Sequence, residues 1–449
     1  MNVFNFFAGS PNSDAGASKL GALSRTEKVL YWTIVLMPVW WLLGIQTLFY
    51  PFVLIALLVT SFKFDKLIQT PFPMAIWAWF AMSMVMLWTA LLGINEMGFK
   101  ILTLAAAIVT FSKSYFLIFA CLAIPFWSEV RITVITRAVA WLSTGYLGTL
   151  AIEMILLPVT INMEPILPPL ARLIPADKGS LTIQLATMSS FFGVPLPRSI
   201  LYVPDPPILG ISAVICFIIC LGEPNRRLRR WSLAGSLAAL IISFSRSSWL
   251  ALPLALLISL SFNSSLTRQL SLWIASMVSL LSSVLGLTLA DLVEKPMEVF
   301  DSARSESSGE RSLVVRKTLE AWLEAPWLGW GVIRGQAHLY EDVYIGLASF
   351  STYSAVLYLH GVVGFSVFVV SLILTLWFFF TPAVKGNLLC RRAFGCLIAL
   401  YLGLNATPLS WMAVYFWYFF VWLGVIIKEV HQQSPISSWD ELSKHGSAE

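Results

Sequence analysis

Charge is scarce in this sequence. Asp, Glu, Lys and Arg make up 12% of its 449 residues, against about 25% in an ordinary soluble domain. Histidine is rarer still, at four residues, and none of them sits in a spaced cluster with acids that would hold a metal. The five cysteines (Cys121, Cys216, Cys220, Cys390, Cys396) lie in or at the ends of apolar runs with no C-x-x-C. They imply neither a disulfide framework nor a zinc site, and the i,i+4 spacing of Cys216 and Cys220 suits helix packing. A glycine-rich phosphate loop is missing too, as is any basic domain that could meet a duplex, so a nucleic-acid role is excluded. The first 28 residues hold no apolar core and no small-residue cleavage site. No removable signal peptide is therefore expected, and the first span directs insertion.

What is abundant is apolar: 58% hydrophobic residues, with 30 Phe and 19 Trp. That composition specifies an all-α, polytopic transmembrane helical bundle. Apolar runs fall at about 29–43, 46–62, 72–92, 101–126, 132–157, 208–222, 231–245, 247–263, 270–290, 352–380, 393–408 and 411–427. Most are long enough to cross the hydrocarbon core, and the expected count is about twelve spans. Basic short loops stay in the cytoplasm. Lys19, Arg25 and Lys28, then Lys63 and Lys66, Arg131 and Arg137, the RRLRR run from Arg226, Arg268, Lys385 with Arg391 and Arg392, and Lys428 all fall on one side if both termini are cytoplasmic. The expected organisation is a cytoplasmic segment 1–28, a transmembrane domain 29–430 and a polar cytoplasmic tail 431–449. Two long external loops follow, at about 158–207 and 291–351; the net charge of +5 comes largely from the cytoplasmic loops.

The 291–351 insert is neither a span nor a short turn, which makes it the place to look for chemistry. Within it, Ser307 and Glu310 are spaced as a capping box and Pro326 closes a helix of about four turns. Helical rotation puts Val315, Leu319 and Trp322 on one face and Arg316, Lys317, Glu320 and Glu324 on the other, an amphipathic helix beside the membrane. Arg311 falls with the apolar stripe. It either pairs with an anion there, salt-bridges a loop carboxylate or snorkels to the interface. Arg246, in SFSRSSWL between two apolar runs, stands at the same outer surface, with helix-end snorkelling as its plain alternative. Lys113 and Glu153 fall inside spans and are expected by default to form a structural ion pair, with a lipid-phosphate contact or a proton path as the alternatives. His338 and the acids Glu341 and Asp342 are expected to be solvated loop side chains, with a role as base the alternative, and His360 is expected to pack in the core. Trp322, Trp327 and Trp330 suit interfacial anchoring, with sugar stacking as the alternative.

SRSSWL at the start of a span, a long external loop, R-x14-P-W-L-G-W-G and then S-F-S-T-Y-S-A-V-L-Y-L-H-G-V-V-G entering the next span together resemble the bacterial O-antigen ligases and surface-polysaccharide polymerases. The resemblance covers about 200 to 362. It implies a metal-independent, cofactor-free glycosyltransferase of the GT-C kind in the bacterial inner membrane, with its active face periplasmic. Such an enzyme takes a glycan from undecaprenyl diphosphate and joins it to a lipid-linked acceptor, alongside polysaccharide assembly proteins. By the resemblance, Arg246 and Arg311 hold the leaving diphosphate, Gly329 and Gly331 complete P-x-x-G-x-G after Pro326, and Arg198, Arg316, Trp322 and His338 are candidates for substrate contact. The family histidine is replaced by Phe350, which cannot accept a proton, and polymerase is therefore preferred to ligase. A small-solute transporter and an inactive paralogue scaffolding polysaccharide assembly are the alternatives.

Overall fold

Polar caps set the helix starts at one end of the bundle. Ser24 and Glu27 form a full capping box for α1 (Arg25–Val35). The side chain of Asn225 takes the first amides of α10, and Asn387 does the same for α14. A computed structural model describes residues 22–69, 71–160, 165–168, 170–173, 181–191, 194–262, 266–270, 273, 276–277, 305–339 and 343–433. The expected ninth run, most of 270–290, and the candidates Glu341 and Asp342 lie outside them, as do both chain ends.

Helix α1 is followed by α2 (Met37–Leu43), α3 (Gln46–Ser61), α4 (Phe64–Gln69), α5 (Met74–Glu96), α6 (Ile101–Lys113), α7 (Tyr115–Trp127) and α8 (Ile132–Thr160). A hairpin of β1 (Ala186–Phe191) and β2 (Val194–Ser199) precedes α9 (Pro206–Cys220), α10 (Arg226–Ile242) and α11 (Arg246–Ser261). The insert contributes α12 (Ser305–Trp322) and a second hairpin, β3 (Gln336–His338) with β4 (Tyr344–Gly346). Helices α13 (Thr352–Val384), α14 (Leu388–Gly403), α15 (Leu409–Met412) and α16 (Trp417–Gln433) complete the chain. The protein is thus a helical membrane protein, and the two antiparallel hairpins amend the all-α expectation. Both lie in the expected external loops, where backbone groups need partners but no span supplies them.

Helices α5, α8 and α13 are each long and apolar enough to cross a bilayer, and α6 and α7, which meet at a 41° bend, reach that length only when taken together as one span. Shorter apolar helices such as α3, α9 and α11 do not reach that length alone. Helix α9 is buried along its whole length save Phe217, and α16 is buried from Trp417 to Ile427. Around them α8 packs on α1 and α10, α11 on α14, and α5 on α13.

Contacts gather the basic loops at one end. Arg131 pairs with Glu27 at 2.7 Å and Arg137 with Glu223 at 2.8 Å. Lys428 donates to the Ser128 carbonyl, Arg392 to that of Leu221 and Arg268 to that of Val384. Burial pushes the Glu27 carboxyl up, but hydrogen bonds from Arg131 and the Ser24 amide outweigh it and hold the group below its ordinary value. Helices α8, α10 and α14 run from that end, so Glu153, the α10–α11 turn and the start of α9 all lie at the other.

Candidate anion-binding site

At that opposite end, three helices begin without a side-chain cap. Asp205 before α9, Ser245 before α11 and Ser351 before α13 each occupy the cap position, yet none of their side chains bonds to the first-turn amides. At α11 and α13 the uncapped amides and the positive helix-dipole ends favour an anion, whereas α9 starts with Pro206 and Pro207, which carry no amide hydrogen, and Ile208 donates to the Asp205 carbonyl. The strained backbone of the chain collects around these starts. All four non-glycine residues with left-handed φ among the described residues are here: Leu201, Phe244, Ala348 and Ser351. Such conformations persist only where the surroundings hold them.

Arg246 is the first residue of α11. Its turn is held from β2, whose Arg198, only 5% exposed, donates from Nε to the Ser243 carbonyl at 3.0 Å and from Nη2 to that of Phe244 at 3.4 Å. A guanidinium here satisfies carbonyls that the end of α10 leaves open. The next residue along β2, Ser199, projects the other way and donates to the Glu153 carboxylate at 2.7 Å. Glu153 thus serves the hairpin. The expected Glu153–Lys113 pair is not formed: Lys113 closes α6 and lines a separate cavity of about 610 Å³ with Thr47, Pro51 and Ile108. Glu153 is committed to Ser199 at the hairpin, so a charge in each apolar run did not mean a shared position.

Arg311 is the second guanidinium. It lies over the Phe350 ring, 5.0 Å from the centroid, donates to the Ala406 carbonyl at 3.1 Å, and approaches Asp205 at 4.0 Å. The start of α9 is therefore a neighbour of Arg311 and of the first turn of α11, on which Arg246 stands. Asp205 faces Arg311, and one turn on, Gly210 brings α9 against the first turn of α11. A Cβ at Gly210 would meet Ser248 Oγ at 2.4 Å and Ser245 Cβ at 2.9 Å. Beside them the Tyr202 hydroxyl bonds with Thr149, and burial pushes its pKa up to about 12.

Arg311 is turned inward as its helical position predicts, but the buried line of α12 is rotated by one residue. Val314 and Thr318 are fully buried, whereas Val315, Leu319 and Trp322 are half-buried. Thr318 escaped the apolar pattern because its hydroxyl is satisfied internally, donating to the Val314 carbonyl and accepting from the Ala348 amide. The helix also begins at Ser305, ahead of the expected capping box.

P-W-L-G-W-G proves to be a backbone staple. The amides of Trp330 and Gly331 donate to the Tyr358 and Leu359 carbonyls, and those of Val362 and Val363 donate back to Pro326 and Trp327. This exchange is open because α13 breaks at Gly361, where φ is 62°. Gly331 lies so close to α5 that a Cβ would sit 2.0 Å from the Thr89 carbonyl oxygen. Arg334 locks the far side through Gly93, Glu96 and the Trp330 ring. Arg334 was not singled out from the sequence, since its partners come from a helix more than two hundred residues earlier.

The other expected residues fare differently. Arg198 is at the site, as a buttress. Arg316 is exposed and pairs with Glu320 at 3.7 Å on the outer face of α12, so it is not brought to the arginines' side of that helix. Trp322 donates to the Pro326 carbonyl and closes the helix end. His338 is exposed on β3 with its ring 5.0 Å from Tyr344. His360 is buried in the core as expected, its Nδ1 2.7 Å from the Thr89 hydroxyl.

No curated protein matches the chain. A family model described as O-antigen ligase matches residues 231–369, just under a third of the sequence, and Arg246, Arg311, the Pro326 loop and Phe350 all fall within it. Through that region the resemblance read from the motifs is borne out: residues 231–369 are similar to the O-antigen ligase family.

Proposed function

We propose that this protein is an inner-membrane glycosyltransferase that joins a glycan carried on undecaprenyl diphosphate to a lipid-linked acceptor during surface-polysaccharide synthesis, as a polymerase. The observation that carries the proposal is the placement of Arg246 and Arg311 about the start of α9, at the end of the bundle opposite the basic loops, among three uncapped helix starts. In transfer, the bond from the sugar anomeric carbon to the diphosphate breaks as the acceptor oxygen bonds to that carbon. The electron pair leaves with the diphosphate. Its charge is offset by planar, permanently charged guanidinium groups and helix-end amides, which act most strongly where water is excluded. In this role they do what a divalent ion does elsewhere, so chelators leave the rate unchanged. Both termini are then cytoplasmic and the site periplasmic, where a flipped carrier presents its glycan.

Phe350 favours polymerisation over ligation, because the family's histidine is replaced by a ring that serves as a platform for Arg311. Purified protein in nanodiscs, given carrier-linked repeat units, should lengthen them and should transfer little to lipid A-core. Arg246→Ala and Arg311→Ala should each lower the rate by about 10²–10³-fold. Unaltered lengthening in both variants would remove the diphosphate site from the account.

A further inference from the structure

Polymerisation holds two carrier-linked molecules at once: a donor whose diphosphate leaves and an acceptor whose diphosphate stays. We infer that Lys113 and the buried Thr47 hydroxyl hold the acceptor's diphosphate, and that the groove between α3 and α6 takes its polyprenyl chain, an inference that rests on the polymerase reading. The groove is the cavity of about 610 Å³, lined by one face of α3 from Thr47 to Thr60 and by Ile108 and Ser112 of α6. Thr47 and Lys113 recur in a smaller cavity with Trp411 of α15. Of the described residues lining either cavity, Lys113 alone is charged. Thr47 is 4% exposed, and among the described residues its hydroxyl has no hydrogen-bond partner. A buried hydroxyl beside an ammonium matches the oxygens and the charge of a phosphate.

Depth separates such a substrate from bulk lipid. Phe62, just past α3, packs on Trp127 at the end of α7, and the next residue, Ser128, receives Lys428 at the basic end of the bundle. Thr47 stands at the opposite end of α3, and Lys113 at the bend where α7 begins. Helical rise puts both roughly 20 Å from the basic end. The hydrocarbon core is about 30 Å thick, so the pair is recessed from the outer surface, where a bilayer phospholipid keeps its phosphate. A diphosphate at this depth belongs to a molecule drawn into the site. Helix α14 rises from the same basic end, and just beyond it Ala406 accepts from Arg311 while Trp411 lines the smaller cavity. Segment 406–411 thus runs from the donor's guanidinium to the acceptor's ammonium, and the acceptor's sugar reaches between them. The lined face of α3 is about 20 Å long, more than one leaflet of about 15 Å, as an isoprenoid tail requires. One ammonium grips a diphosphate less firmly than two guanidiniums, which suits a group that is held and not expelled.

The test varies a lengthened donor and a labelled single-unit acceptor separately in nanodiscs, each on undecaprenyl diphosphate. Lys113→Ala should raise the acceptor KM about tenfold or more while the donor KM stays within about twofold, and Lys113→Arg, which keeps the charge, should stay within about threefold of wild type. The groove has its own readout. Wild type should favour an undecaprenyl-linked acceptor over a farnesyl-linked one by about tenfold. Val59 lines the groove and is 67% exposed, so Val59→Trp obstructs the tail without disturbing the core and should cut that preference to about twofold. An unchanged acceptor KM in Lys113→Ala overturns the inference. So does a rise confined to the donor KM, which gives the groove to the donor, and so does a Lys113→Arg variant as impaired as Lys113→Ala, which marks a packing role. An undiminished chain preference in Val59→Trp overturns it as well. If the wild type lengthens nothing, the polymerase reading falls and takes this inference with it, whereas the other outcomes overturn the inference alone.

Discussion

Gly331 is a sensitive position among the described residues of the insert. Substitution by Ala places a Cβ 2.0 Å from the Thr89 carbonyl oxygen and 2.8 Å from its carbon, and that backbone belongs to a long span that cannot yield. The residue also sits at φ 67°, which costs an L side chain about 1–2 kcal/mol. Relief requires the loop to withdraw. Withdrawal breaks the bonds from Trp330 and Gly331 to the Tyr358 and Leu359 carbonyls, at about 1–3 kcal/mol for each group left without a partner. The sum is about 5 kcal/mol, enough to undock the staple. Hydrogen exchange of the 328–334 amides in nanodiscs should then accelerate by roughly three to four orders of magnitude, and glycan transfer should fall with it. Gly309→Ala is the matched control. A Cβ there meets nothing within 4 Å, so the change should leave exchange in the loop unaltered and stabilise α12 by up to about 1 kcal/mol. If the loop amides of Gly331→Ala stay within tenfold of wild type, the close approach to α5 is wrong.

Removal of the Arg198 guanidinium leaves the Ser243 and Phe244 carbonyls without their donor. Arg198→Ala should destabilise the fold by about 1–3 kcal/mol and slow transfer by shifting Arg246, whereas Arg198→Lys should recover part of both, as read by thermal unfolding and turnover. Arg316→Ala, which breaks an exposed i,i+4 pair, should change stability by no more than about 0.5 kcal/mol and leave turnover unaltered; a tenfold loss would return Arg316 to the site. The Glu27 carboxyl titrates below its ordinary value, so its contribution is complete above the unfolded pKa and is lost as pH falls through the folded one. The unfolding temperature of the wild type should decline with acidification below the usual carboxylate range more steeply than that of Glu27→Gln. Parallel declines would show that the Arg131 pair contributes nothing.

Much of this was legible in the residues because charge is so sparse. An arginine on the apolar side of a helix, or at the mouth of a span, stands out against lipid, and both Arg246 and Arg311 are where those positions put them. The basic loops likewise predicted which helix ends lie together. Long-range backbone contact left no such trace. Gly329 and Gly331 could be matched as a motif, but their task depends on the break at Gly361 and on Thr89 in a distant helix. The rotation of α12 was misjudged because Thr318 satisfies its own hydroxyl and packs like an apolar residue. Glu153 and Lys113 looked like partners only because both are charges in apolar runs, and the β1–β2 hairpin, with two prolines in one strand, carries no alternating pattern.

The central claim is that Arg246 and Arg311 act on one diphosphate. It is tested most directly by thermal unfolding of the purified protein with and without undecaprenyl diphosphate. At a hundredfold excess over Kd the ligand should stabilise the wild type by about 2.7 kcal/mol. Arg246→Ala and Arg311→Ala should each lose most of that shift, and the double variant should lose no more than the worse single one. An undiminished shift in the double variant would contradict the account.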